Sequence, residues 1–158
     1  MSEFTHVNDD GEARMVDVST RDISVREATA SGRVVTAAAG AIRRGEVAKG
    51  DVLGVARVAG IMATKRTPDL IPLCHPIQIH GVEVSVTVAD DADEVRISVT
   101  VRTADRTGVE MEALTAVAVA GLTVIDMVKS SDPAAVLTDI GIDAKDGGRN
   151  GPWRRGAR

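Results

Sequence analysis

Cysteine is almost missing from this sequence: Cys74 is the only one, which excludes an internal disulfide and any zinc site built from several thiolates. Histidine is nearly as scarce, and His6, His75 and His80 are too few to make a metal cluster. With one Trp, one Phe, no Tyr and a net charge of −4, the chain lacks rings on which bases stack and an excess of basic charge, so nucleic acid is a poor partner. The longest uncharged helical stretch, Ala113 to Ile125, falls short of the ~20 residues that cross a bilayer, and no charged-then-apolar signal opens the chain. A cytoplasmic protein with no membrane partner is therefore expected. Neither a Walker loop nor a GxGxxG fingerprint occurs, which removes the usual nucleotide-binding folds.

Lysine is the most informative scarcity. Of 19 basic residues 15 are arginine, leaving Lys49, Lys65, Lys129 and Lys145. Surface charge in this chain is made with arginine, which stays protonated, so the four lysines are the cations able to exchange a proton. Scatter over the surface is the alternative until their contexts are read.

What is present is one domain's worth of chain, 158 residues with 44% apolar content. Residues 1–14 are expected to be a mobile segment, 15–151 the domain, and 152–158 a basic tail. Met15 to Ser19 reads as a short extended piece and Ser24 to Thr36 as a strand. A short helix follows from Ala37 to Arg44, closed by Gly45. Asp51 then caps a helix whose Val52, Val55, Ala56 and Ala59 repeat at helical spacing up to Lys65. Thr67-Pro68-Asp69 opens another short helix, which cannot run through His75 because Pro76 follows. Clean alternation marks two strands, Val82 to Val88 and Val95 to Val101, joined by an acidic turn from Asp90 to Glu94. A long helix spans Gly108 to Lys129, and a last strand Val136 to Asp143. Setting the short helices aside leaves β-α-β-β-α-β, the ferredoxin-like α+β arrangement of an antiparallel sheet with helices on one face.

Three segments carry polar groups in patterns that suggest chemistry. Lys65-Arg66-Thr67-Pro68-Asp69-Leu70-Ile71-Pro72-Leu73-Cys74-His75-Pro76 places a thiol and an imidazole between prolines beside two cations, a stiff lip suited to an anionic ligand; a rigid connector is the bland alternative. Glu110 and Glu112 open the long helix, and Asp126 and Lys129 end it. These glutamates could simply answer the helix dipole, and the Asp126–Lys129 pair could be an ordinary surface ion pair. Because the turns between them are apolar, the charges sit at a rim, where a lysine beside a carboxylate can give and take protons. Lys145-Asp146-Gly147-Gly148-Arg149-Asn150-Gly151 can turn backbone amides toward a phosphate, or belong to a frayed tail. Glu112 and Asp126 are fourteen residues apart, roughly 21 Å along a helix. If both touch one ligand, they come from different subunits.

Taken together, Lys-Arg-Thr-x-x-Leu-Ile-Pro-Leu-Cys-His-Pro at 65–76, Gly-Val-Glu-Met-Glu-Ala-Leu-Thr-Ala at 108–116 and Asp-Met-x-Lys at 126–129 resemble the MoaC family of molybdenum cofactor biosynthesis. The likeness extends to Met15-Val16-Asp17-Val18-Ser19 and Lys49-Gly50-Asp51-Val52, nearly the whole chain. It implies a ferredoxin-like fold assembled as a homohexamer, a trimer of dimers with sites shared between subunits. The implied reaction converts cyclised dihydro-GTP, supplied by an upstream radical enzyme, to cyclic pyranopterin monophosphate with release of pyrophosphate. No cofactor is implied, although magnesium can accompany the triphosphate. By position, Asp126 is implied as the catalytic carboxylate, with Lys49 and Lys129 as general acid and base. Leu73, Cys74, His75, Met111 and Glu112 are implied substrate contacts, Lys65 and Arg26 hold the triphosphate, and Glu110 and Lys145 neighbour it. Two positions depart from the family's habit: Arg149 stands where a lysine is common, and Ile125 where a tyrosine often precedes the aspartate. The competing reading is a non-catalytic nucleotide-sensing module of the same fold, which would release its ligand unchanged.

Overall fold

Strand β1, Ser24–Val35, is the centre of the molecule, with neighbours on both edges. The computed structural model describes residues 6–8 and 10–156. Part of the segment expected to be mobile, and the end of the basic tail, lie outside those residues. Helices α1 (Ala39–Arg44), α2 (Val52–Thr64) and α3 (Thr67–Leu70) follow β1. Then come strands β2 (Gly81–Val88) and β3 (Glu94–Asp105), helix α4 (Glu110–Val128), and strands β4 (Val136–Asp146) and β5 (Trp153–Arg154). The sheet order is β2-β3-β1-β4-β5 with every neighbouring pair antiparallel. This is the ferredoxin-like α+β arrangement, with β5 as an addition.

The strands follow from alternation. Val95, Ile97, Val99 and Val101 of β3 are all essentially buried, and each such side chain contributes on the order of 1.5–3 kcal/mol relative to exposure. On β1 the inward positions are Ala28, Ala30, Gly32 and Val34, mostly small residues. Their size lets α4 lie close over the sheet centre, and a Cβ on Gly32 would stand 2.8 Å from a Val117 methyl and 3.1 Å from Ile140. β1 and β3 pair without interruption from Ser24↔Asp105 to Val35↔Glu94. β1 and β4 slip register twice, and Asp139 nearby takes a left-handed φ of 56°.

Helix α4 packs Ala113, Ala116, Val117, Ala120, Val124 and Val128 at 0% exposure. By length and composition it is the one helix among the described residues that could cross a bilayer, but more than half of its apolar stretch is buried in the domain. α2 crosses α4 closely at Gly60, where a Cβ would sit 3.4 Å from the Ala116 carbonyl and 3.5 Å from Ala120. Its start is set by Asp51, whose carboxylate accepts the Gly54 amide at 2.9 Å. One expectation is corrected here: the chain after Gly151 is not simply a tail, since Trp153 pairs with Lys145 and Arg154 with Ala144.

Candidate active site

The site residues fall into two groups at opposite ends of α4. The first is small. Lys49 lies in the α1–α2 connection, just before Gly50, whose φ of 100° bends the chain so that Asp51 can cap α2. Lys49 Nζ donates to the Asp126 backbone oxygen at 2.6 Å and to its Oδ2 at 3.1 Å. Lys129, one turn beyond Asp126, places Nζ 2.7 Å from Oδ1. One carboxylate thus bridges two amines, and the hydrogen bonds from Lys129 first and Lys49 second hold the Asp126 carboxyl below the usual carboxylate range. A partly desolvated rim was expected at these lysines. In the single chain the side chains of Lys49, Asp126 and Lys129 are instead 42%, 57% and 59% exposed.

The second group lines two adjoining clefts of about 790 Å3 and 490 Å3 that share Arg21, Glu110, Lys145 and Asn150. The larger cleft is bounded by Arg21, Arg26, Lys145, Arg149 and the 147–151 loop. Arg26 is fixed by donating to the Asp105 and Arg106 carbonyls at 3.0 and 3.2 Å. Lys145, on β4, pairs with Glu110 at 3.0 Å. Gly147, Gly148 and Gly151 all have positive φ. A Cβ on Gly147 would overlap the Val25 carbonyl, and one on Gly148 the Arg26 guanidinium, so only glycine lets this loop close over β1.

The smaller cleft gathers Leu73, Cys74, His75, Met111 and Glu112, five of the expected contacts. His75 Nε2 bonds the Val16 carbonyl at 2.7 Å, tying the N-terminal segment across the opening. The Cys74 thiol was read beside cations, but its partner is acidic, Glu112 Oε1 at 3.3 Å. Burial, with the Glu112 charge and hydrogen bond added, pushes the thiol up to about 12, so it is no thiolate nucleophile at neutral pH. Lys65, in contrast, is exposed at the C-terminus of α2 and lines neither cleft. Its neighbour Arg66 pairs with Asp69 at 3.4 Å.

Sequence reasoning missed Arg21, which lines both clefts, and Arg106, which holds it there by donating to the Ser19 carbonyl and, at 2.7 Å, to the Arg21 carbonyl. No local pattern marks either arginine. Among the described residues no three His, Cys, Asp or Glu side chains converge as a metal-ligand set.

Fold and clefts define a ferredoxin-like enzyme equipped for a small anionic ligand and for acid/base chemistry between amines and carboxylates. The sequence profile of the MoaC family matches residues 15–148. A Nocardioides protein named cyclic pyranopterin monophosphate synthase is 61% identical over 155 residues, covering 96% of this chain and 95% of its own. A Streptomyces griseus protein of the same name is 60% identical over 158 residues, covering 99% and 88%. Cyclic pyranopterin monophosphate synthase 3 of Mycobacterium tuberculosis is 53% identical over 154 residues, covering 96% and 86%. The chain belongs to the MoaC family.

Proposed function

We infer that the chain is a cyclic pyranopterin monophosphate synthase, a lyase that converts 3',8-cyclo-7,8-dihydro-GTP to cyclic pyranopterin monophosphate and pyrophosphate in molybdenum cofactor biosynthesis. The observation that carries this reading is the Asp126 carboxylate bridging Lys49 and Lys129. The reaction opens the imidazole part of the guanine, closes a pterin ring and forms a cyclic phosphate. Protons move at several atoms and no electrons are supplied, so paired amines around one carboxylate suit it without a resident cofactor. Arg26, Lys145 and Arg149 bind the triphosphate, while Leu73, Cys74, His75, Met111 and Glu112 hold the base.

The two groups serve one substrate only if they come from different chains, since ~21 Å separates their ends of α4. The outer surface of the helical layer supports association: Val55, Val58, Met62 and Leu122 are 47–61% exposed, a row of apolar side chains on α2 and α4. A homohexamer, a trimer of dimers in the cytoplasm, would cover that row, complete the sites and desolvate the lysines. Lys65, free of both clefts, would then hold phosphate across a subunit boundary.

Incubation with the cyclised nucleotide, made by the upstream radical enzyme, tests the assignment. Mass analysis should show cyclic pyranopterin monophosphate and one pyrophosphate per turnover. Recovery of unchanged nucleotide would favour the sensor.

A further inference from the structure

The sequence holds two asparagines, and the fold treats them oppositely. Asn8, which precedes an aspartate, is locked: its Oδ1 accepts the Asp10 and Glu12 amides at 3.1 and 2.8 Å, and its Nδ2 donates to Glu12 Oε2 at 3.2 Å. Asn150 is exposed in the loop after β4, where it lines both clefts, and its side-chain amide has no hydrogen-bond partner among the described residues. Gly151 follows it with a left-handed φ of 66°. A Cβ built there would meet nothing within 4 Å, and the Gly151 amide reaches the Gly148 carbonyl only at 3.3 Å, a long and weak hydrogen bond. Little therefore keeps that nitrogen from closing on the Asn150 side chain. Asparagine is one of the thermolabile residues, and its five-membered imide forms most readily before glycine, where no Cβ obstructs the ring.

We propose that Asn150 is a site of spontaneous deamidation, which turns a neutral part of the cleft wall into an acidic one and weakens its hold on phosphate. The Gly151 nitrogen attacks the Asn150 Cγ and forms a C–N bond; the bond from Cγ to the side-chain nitrogen breaks, and ammonia leaves with the proton that Gly151 gives up. Water then opens the cyclic imide at either carbonyl, leaving aspartate or isoaspartate at position 150. Nothing is oxidised or reduced, and water is the only co-reactant. The new carboxylate stands with Arg21 and Lys145, which line the same two clefts, and next in sequence to Arg149, so it competes with a ligand's phosphates for those cations. Lys145 already answers Glu110 at 3.0 Å, and a second acid tips the balance further against an anion. Lys49 and Lys129, brought from another chain in the assembly proposed above, are present before and after the change, so the site loses one unit of positive charge either way. The modification stands on the geometry of the loop, and its cost to substrate binding rests on the function proposed above.

Ageing the folded, full-length protein in mildly alkaline, phosphate-free buffer tests this without substrate. Each chain should gain one mass unit and become more acidic in isoelectric focusing. Cleavage after lysine places the gain, because Asn150 falls in the peptide that follows Lys145, which carries the sole tryptophan and is picked out by its absorbance. The Asn8 peptide should stay unchanged, and digestion in heavy-oxygen water marks any conversion during handling. Asn150→Ser should abolish the gain, and Gly151→Ala should slow it about tenfold or more, since the added Cβ obstructs ring closure. By calorimetry, inorganic triphosphate should bind both the aged protein and Asn150→Asp about tenfold more weakly than fresh wild type, and KM for the cyclised nucleotide should rise with little change in kcat. A tryptophan peptide that stays amidated in the folded protein, while the urea-unfolded chain is converted over the same period, would show that the loop shields Asn150 and overturn the proposal. Triphosphate binding unaltered in Asn150→Asp would overturn the effect assigned to the new charge. Protein that gains the mass but never turns the nucleotide over would refute the synthase assignment and leave the modification standing.

Discussion

Gly147 and Gly151 lie in one loop and both have positive φ, 86° and 66°, yet their surroundings differ. A Cβ at Gly151 meets nothing within 4 Å; one at Gly147 overlaps the Val25 carbonyl and stands 3.2 Å from the Arg26 Cα. Gly151→Ala therefore costs only the left-handed backbone, about 1–2 kcal/mol. Gly147→Ala adds the displacement of the loop from β1, a further ~1–3 kcal/mol if the overlap behaves like an overpacked core. At roughly 2–4 °C per kcal/mol for a chain of this size, Gly151→Ala should lower Tm by about 2–8 °C and Gly147→Ala by distinctly more. Function should separate them further. Moving residue 147 disturbs Arg26 and Lys145 on either side, so KM should rise in Gly147→Ala with a smaller change in kcat. Scanning calorimetry and steady-state kinetics read both quantities. If the two variants were equally stable and equal in KM, the loop would not be seated against β1 and the phosphate-binding role proposed for the larger cleft would fall.

Lys49→Arg keeps the charge beside Asp126 but removes a readily lost proton, so it should bind the cyclised nucleotide in calorimetry while turnover disappears; full turnover would refute the acid/base role. Glu94 is buried, and the hydrogen bonds from Arg96 first and Arg33 second hold its carboxyl below its ordinary value. Its contribution to stability is complete above the unfolded value of about 4.5 and is lost as pH falls through the lower folded value. Glu94→Gln should flatten the acid limb of a Tm-against-pH curve, and an unchanged limb would show that the pair does not matter there.

The strands were legible because their signal is local. Val95, Ile97, Val99 and Val101 alternate within seven residues, and Asp51 announces α2 from one position before it. What stayed hidden depends on contacts across the sequence. Trp153 and Arg154 form a strand only because β4 offers a free edge, and glycine-rich flanks conceal it. Cys74 lies nine residues after Lys65, which suggested cationic company, whereas folding brings it to Glu112, 38 positions away. Lys49 meets Asp126 across 77 positions, so chain pattern alone could nominate both residues without joining them. Arg21 and Arg106 have no periodicity to betray them, since a carbonyl contact leaves no mark on neighbouring residues.

We propose that one site is assembled from the Lys49–Asp126–Lys129 end of one chain and the Cys74–Glu112 clefts of another. Lys49→Arg and Glu112→Ala each damage one half, so neither homogeneous oligomer should turn over at more than a trace. Co-expressed in equal amounts and purified together, the two variants should recover up to about one quarter of wild-type activity, because random mixing gives that fraction of sites two intact halves. Mixed oligomers no more active than the separate variants would contradict the account.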